Sequence, residues 1–179
     1  MLEAVDRDYV RLIGDVTGPR AILLNQIGVG YSRANDQEAA LRYQTKATQV
    51  ARQAVGTGNR LYLQLAVAEA GTLTRLSRNA EAEVLLREVL PRLAERSAPG
   101  VDAVNHAYAL AALAQTLLKS GNAGDALGFA RKAEEVVLPH ASGGFMIVYD
   151  NAMRALVQAL RETGDTASAH AAVARYRTL

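Results

Sequence analysis

The hydrophobic residues of this chain recur at the spacing of amphipathic helices, and runs of polar residues, glycine or proline separate the periodic segments. Between residues 101 and 119, apolar side chains repeat every three or four positions, as on one face of an α-helix. The predicted helices span residues 2–13, 20–33, 36–54, 60–76, 79–96, 101–119, 123–138, 145–162 and 166–178. The pattern therefore predicts an all-α protein of about nine helices.

Eight of these helices form four pairs, and the turns within the pairs share a pattern of residues. Asn35, Gly121 and Gly164 tolerate the left-handed conformation that closes a helix. An acidic residue suited to capping the next helix follows in three of the turns, at Asp36, Asp125 and Asp165. The second pair lacks a glycine at this place and has residues 77–79, Ser-Arg-Asn, instead.

The pairs also share an internal period. Gly28, Ala70, Ala114 and Val157 are equivalent positions, separated by 42, 44 and 43 residues. The repeating units cover residues 20–54, 60–96, 101–138 and 145–178, and we expect them to stack into one array over residues 1–179, since a single pair cannot cover its own apolar face. Pro91 falls inside the predicted helix 79–96 and is expected to kink or interrupt it.

The helix at residues 2–13 has no partner helix before it. The segment that follows it aligns with the one that follows helix 36–54, so it resembles the second helix of an earlier unit. It is either an N-terminal cap or the remnant of a unit that begins upstream. Val5, Tyr9, Leu12 and Ile13 favour the second interpretation, because they would require a neighbour on both sides.

These residues resemble the tetratricopeptide repeat, whose signature is a small residue, an aromatic or Leu three positions later, and two alanines further on. Gly28, Tyr31, Ala40 and Ala47 match it in the first unit. The matches in the later units are Ala70, Leu73, Ala82 and Leu86, then Ala114, Leu117, Ala126, Ala130 and Ala133, then Val157, Leu160 and Ala169. The resemblance implies a right-handed α-solenoid of stacked antiparallel helix pairs. These units exceed the family's usual length of about 34 residues, as in kinesin light chains and arrays attached to bacterial regulators and kinases.

The resemblance also implies which residues meet a partner, because the first helices of the pairs line the concave groove in that family. The matching positions are Asn25, Gln26, Arg33, Gln64, Arg75, Tyr108, Gln115, Lys119, Asn151, Arg154, Gln158 and Arg161. Amide side chains donate to and accept from a peptide backbone, and the basic side chains suit acidic or C-terminal carboxylate groups. The alternative is that these are ordinary solvated helix residues.

One ligand class of the family is not expected here. Members that bind chaperone C-terminal carboxylates use Lys and Asn at two set positions of the inner wall. Those positions hold Asn25 and Val29, Val67 and Gly71, and Ala111 and Gln115. The clamp is therefore not present in this sequence.

Composition excludes several other classes of protein. The net charge is +2, from 20 basic and 18 acidic side chains spread along the chain, which argues against direct binding of nucleic acid. The chain has no cysteine, and no apolar stretch approaches the ~20 residues that cross a bilayer. The first ten residues do not resemble a signal peptide, so we expect a cytoplasmic protein without membrane contact.

No catalytic, cofactor or metal motif emerges. His106, His140 and His170 lack metal-ligand spacing and are expected to be single surface residues. The Gly28–Gly30 stretch lies within a helix and lacks the rest of a phosphate loop, and no calcium ligand set follows residues 35–38. We therefore expect a non-enzymatic scaffold that binds a protein or peptide, as the sensory or interaction module of a larger bacterial regulator or kinase. The alternatives are self-assembly into a homo-oligomer and an unrecognised enzyme.

Overall fold

The structure, a computed structural model, describes residues 2–96, 101–140 and 146–177, with no side-chain description for residues 2, 3 and 101. The helices are α1 (Leu2–Ile13), α2 (Gly18–Arg33), α3 (Gln37–Val55), α4 (Arg60–Arg75), α5 (Asn79–Glu95), α6 (Val101–Lys119), α7 (Ala123–Val137), α8 (Met146–Glu162) and α9 (Thr166–Arg177). A 3-10 turn, Leu138–His140, follows α7. The described residues contain no strand, so the prediction of an all-α chain with about nine helices is confirmed.

The predicted helix boundaries agree with the structure to within two residues. The predicted links at 96–102 and 139–144 lie largely outside the described residues, as do positions 145 and 178. Helix α5 continues through Pro91 to Glu95, so the proline does not interrupt it, and the expected alternative of a kink at this residue stays a prediction. Proline removes only one N–H from the helical ladder, and Pro91 is exposed, so water can solvate the carbonyl that loses its partner.

The chain divides into two compact units, Met1–Arg78 and Asn79–Leu179. In Met1–Arg78, α2 and α3 pack as a pair, α1 contacts α2, and α4 packs on α3. In Asn79–Leu179, α6 and α7 form a pair, α5 packs on α6, α8 packs against both α6 and α7, and α9 packs on α8. The single array over residues 1–179 stays a prediction.

The four turns within the helix pairs have one conformation. Each contains a residue with positive φ: 64° at Asn35, 61° at Ser77, 77° at Gly121 and 84° at Gly164. In each, the next residue donates its backbone N–H to the carbonyl five positions back. These bonds are Asp36 to Tyr31 (3.0 Å), Arg78 to Leu73 (2.9 Å), Asn122 to Leu117 (2.9 Å) and Asp165 to Leu160 (2.9 Å). The turn at Ser77 therefore closes its helix in the same way as the others.

Ser77 adopts this left-handed conformation although its side chain disfavours it. We expect Ser77→Gly to raise the free energy of unfolding by about 0.5–1 kcal/mol, since glycine adopts positive φ without steric cost. Urea denaturation followed by circular dichroism would measure the change. The matched control is Ser32→Gly within α2, which should be destabilising; a loss of stability in both variants would contradict the expectation.

Small residues form the contact between the two helices of the first pair, α2 and α3. In the first pair, a Cβ atom added to Gly28 would lie 3.1 Å from the Ala40 carbonyl oxygen and 2.9 Å from Gln44 Cγ. The residues equivalent to Gly28 in the next two units are Ala70 and Ala114, and the residues equivalent to Ala40 are Ala82, Ala126 and Ala169; all are buried. These equivalent positions of the sequence repeat are therefore also alike in their burial. Val157 departs from it, since it is larger and only half-buried.

Helix α1 is tied to its neighbours by a buried ion pair. Arg20 donates from Nε to Asp6 Oδ1 (3.0 Å) and from Nη2 to Asp6 Oδ2 (3.3 Å), and both residues are buried. Lys46 Nζ donates to Asp6 Oδ2 at 2.9 Å. Arg20 Nη1 also bonds the carboxylate and the backbone carbonyl of Asp15. These hydrogen bonds satisfy the buried charges of Arg20 and Asp6, and together with the bond from Lys46 they hold α1 on α2 and α3.

Candidate functional site

The predicted contact residues of Met1–Arg78 lie on the first helices α2 and α4, as the repeat pattern implies. Gln26 and Gln64 are exposed, and Arg33 is the exposed last residue of α2. Asn25 is half-buried, and its buried Oδ1 atom accepts no hydrogen bond in the described part of the chain. No pocket among those described gathers these residues together.

Arg75 is engaged within its own unit. Its Nε donates to Gln37 Oε1 at 3.0 Å, and its Nη2 donates to Thr72 Oγ1 at 2.5 Å. Gln37 in turn donates from Nε2 to the Ser32 carbonyl at 3.2 Å. The guanidinium therefore links α4 to the first residue of α3. A partner would have to displace these bonds before it could pair with Arg75.

In Asn79–Leu179, Tyr108, Gln115 and Lys119 lie along α6. Tyr108 and Lys119 are exposed, and Gln115 is half-buried. The remaining predicted residues, including half-buried Asn151, lie on α8. The structure does not bring the α6 set into one described cavity.

Three predicted residues do line one cavity. Arg154, Gln158 and Arg161 lie at the edge of a cleft of about 500 Å³ between α8 and α9, here called the α8–α9 cleft. Its other lining residues are Asp150, Met153, Val157, Val173 and Tyr176. The cleft thus combines apolar side chains with two guanidinium groups, within the size range of ligand pockets.

The charges at the two ends of the α8–α9 cleft differ. Arg154 Nε lies 2.7 Å from Asp150 Oδ2, and the Tyr176 hydroxyl donates to Asp150 Oδ1 at 3.0 Å, which raises the pKa of Tyr176. Gln158 donates to Glu162 Oε1 at 2.9 Å. Arg161 has no acidic partner within the part of the chain that the structure describes. The Arg154 end is therefore neutralised, and the Arg161 end keeps its positive charge.

The lining residues that sequence analysis missed carry a signal in the repeat. Val157 stands where the earlier units have Gly28, Ala70 and Ala114, and Tyr176 stands where they have Ala47, Val89 and Ala133. The corresponding positions of the preceding pair, on which α8 packs, are buried except for half-buried Gln115: Ala107, Leu110, Ala111, Ala114, Leu118, Ala130 and Ala133. A bulky residue at a position that is otherwise small would have identified the cleft.

The expectation for the histidines is wrong in one case. His106 is buried, whereas His170 is exposed and His140 is half-buried. Burial, and secondarily the nearby charge of Lys132, lowers the pKa of His106. Its position in the repeat explains the burial, since the equivalent residues Arg20, Tyr62 and Tyr149 are buried as well.

The described residues include neither a cluster suited to a metal ion nor a helix able to span a bilayer. No group of three or more His, Asp or Glu side chains is arranged so that it could hold a metal ion. None of the described helices has the length and apolar character required to cross a bilayer.

Comparison with solved structures identifies the class of fold as that of tetratricopeptide-type repeat proteins. A putative kinesin light chain with TPR-like repeats from Podosopora anserina superposes with a TM-score of 0.79 at 14% identity, over 99% of this chain and 82% of that one.

Two further structures have the same fold. A Rap protein complexed with Competence and Sporulation Factor superposes with a TM-score of 0.79 at 16% identity, over 98% of this chain and 46% of that one. BtubC from P. vanneervenii superposes with a TM-score of 0.79 at 14% identity, over 98% of this chain and 70% of that one. No family model matches the sequence, and no curated protein matches it significantly. The predicted resemblance is thus confirmed at the level of the fold.

Proposed function

We propose that this chain is a scaffold that binds a segment of another protein, and that the α8–α9 cleft is its principal contact. The observation that carries the proposal is the meeting of Arg154, Gln158 and Arg161 at one cavity with an apolar floor. Apolar side chains supply the energy of burial, while the guanidinium and amide groups orient a peptide backbone or carboxylate. The Rap structure, a complex with Competence and Sporulation Factor, supports a binding role for this fold.

Selection from a random peptide library displayed on phage would test the proposal. Bound peptides would then be titrated by fluorescence polarisation against the parent chain and Arg161→Glu. We expect binding to weaken about tenfold or more, because the substitution replaces an unpaired cation with an anion at the cleft.

The control for this titration is Arg42→Glu, which makes the same change of charge at an exposed position of α3. It should leave the affinity nearly unchanged. Equal losses in the two variants would show that only net charge matters. Peptides that bind Arg161→Glu as well as they bind the parent would remove the cleft from consideration.

We further propose that the scaffold serves as the sensory or interaction part of a larger bacterial regulator or kinase. The elongated helix pairs and the open, partly charged cleft support such a role. The complete reading frame tests it directly: a DNA-binding or kinase segment joined to this chain would support the assignment, and its absence would leave an independent adaptor.

A second candidate function is self-assembly, which the apolar surface of α1 favours. Leu12 is 74% exposed and Ile13 is 59% exposed at the end of this helix. Light scattering coupled to gel filtration separates the two candidates. A mass that stays monomeric over a wide range of concentration excludes assembly and leaves the binding role.

A further inference from the structure

Two crevices in Asn79–Leu179 occupy equivalent places in consecutive helix pairs. The α5–α7 crevice, of about 310 Å³, is lined by residues of α5, α6 and α7, and the α7–α9 crevice, of about 270 Å³, is lined by residues of α7, α8 and α9. Aligned on the left-handed residue of each turn, Arg87 corresponds to Arg131, and Lys132 corresponds to Arg175. Both crevices therefore carry the same two basic positions.

In the α7–α9 crevice, an acidic side chain neutralises one of these positions. Glu134 Oε1 lies 2.9 Å from Arg175 Nη2, and the Glu134 side chain is largely shielded from solvent. The hydrogen bond to Glu134 raises the pKa of Arg175. The α7–α9 crevice thus contains its own counter-ion.

The α5–α7 crevice lacks that counter-ion. Leu90 stands at the position equivalent to Glu134, and no acidic side chain lines the crevice. Lys132 is exposed and has no acidic partner within the described ranges of the chain. Arg87 is held at the rim, with Nε 2.8 Å from Glu83 Oε1 and Cζ 5.5 Å from the centroid of the Phe129 ring.

The walls of the α5–α7 crevice are largely apolar. Leu90, Pro91, Ala94, Leu110, Leu113 and Phe129 line it together with Arg87, Lys132 and the buried imidazole of His106. An apolar ligand body would be buried against these side chains, and a charge on the ligand would meet a lysine ammonium that no protein carboxylate occupies. The chemistry favours a molecule that is apolar over most of its length and anionic at one end.

We propose that the α5–α7 crevice is a binding site for a small aryl or alkyl carboxylate. Lys132 pairs with the carboxylate, and Phe129, Pro91 and Leu90 contact the apolar body. This site is separate from the α8–α9 cleft in its lining residues. It therefore does not depend on the binding of a peptide.

Calorimetric titration with phenylbutyrate, and with the uncharged phenylbutyramide as a matched probe, tests the site on the full chain. The acid should bind the parent at least about tenfold more tightly than the amide. Lys132→Met should abolish that preference, while Arg42→Met, at an exposed position of α3 outside the crevice lining, should retain it. Equal affinity for acid and amide, no binding of either, or an unchanged preference in Lys132→Met overturns the proposal.

The comparison between the two crevices supplies a reciprocal experiment. Leu90→Glu installs the counter-ion of the other crevice and should weaken phenylbutyrate binding about tenfold, whereas Leu90→Gln, of similar size but neutral, should have a smaller effect. Circular dichroism confirms that both variants fold. Glu134→Leu removes the carboxylate that pairs with Arg175 and should create a second site for the acid. Equal weakening by Glu and Gln at position 90, without a new site in Glu134→Leu, would show that the counter-ion does not control binding.

Discussion

Replacing Arg20 with methionine is expected to lower the free energy of unfolding by about 3 kcal/mol. The change leaves Asp6 buried with Lys46 as its remaining partner, and a buried carboxylate that loses its hydrogen-bonded counter-ion carries a large desolvation cost. It also removes the donor to Asp15. Urea denaturation followed by circular dichroism measures the loss.

The double variant Arg20→Met/Asp6→Leu is the control for this prediction. Removing both charges eliminates the uncompensated carboxylate, so most of the lost stability should return. A double variant that is less stable than Arg20→Met would contradict the ion-pair explanation. It would show instead that the packing of the Arg20 side chain is what matters.

The same carboxylate predicts a dependence on pH. Burial alone would raise the pKa of Asp6, but the hydrogen bonds from Arg20 and Lys46 outweigh it, so the folded-state pKa lies below the ordinary value. Stability from a lowered carboxyl pKa is present above the unfolded-state pKa of about 3.9 and is lost as pH falls through the folded-state pKa. The difference in stability between the parent and Asp6→Asn should therefore narrow below about pH 4 and stay constant near neutrality.

Replacing Ala126 with leucine is the second change with a large expected effect. Ala126 is fully buried at the position equivalent to Ala40, whose carbonyl lies against Gly28 in the first pair. A leucine at this place would force α6 and α7 apart, and overpacking of this kind costs about 2–3 kcal/mol. Thermal and urea denaturation should both detect the loss.

The matched control is Ala167→Leu, at an exposed position of α9. It adds the same atoms where solvent can accommodate them, and we expect a change within about 0.5 kcal/mol. If Ala126→Leu is tolerated equally well, the small-residue contact is not the feature that sets the distance between the two helices of the pair.

Local chemistry accounts for the part of the fold that was predictable. The helices follow from apolar spacing, and three of the four turns follow from residues that adopt positive φ readily. The turn at Ser77 was harder to predict, because serine has no intrinsic preference for positive φ. The backbone hydrogen bond from Arg78 to Leu73 shows that this turn closes like its equivalents.

The candidate site was predictable only in part. Arg154, Gln158 and Arg161 were identified from the repeat, but Arg75 was identified by the same rule and is instead bonded to Gln37 and Thr72. Such pairing depends on where side chains from another helix lie. The repeat pattern indicates which positions face outward, but it does not indicate which side chains from other helices lie next to them.

The order of helices, their boundaries and the small residues between paired helices were determined by the sequence alone, since each depends on side chains only a few positions apart. The tertiary structure decided which charges are neutralised and which face a cavity. Glu134 on α7 pairs with Arg175 on α9, whereas Lys132, at the position equivalent to Arg175, shares its crevice with Leu90 in place of an acid. Electrostatic energy depends on distance in space, so contacts between residues distant in the chain become visible only after the helices have packed.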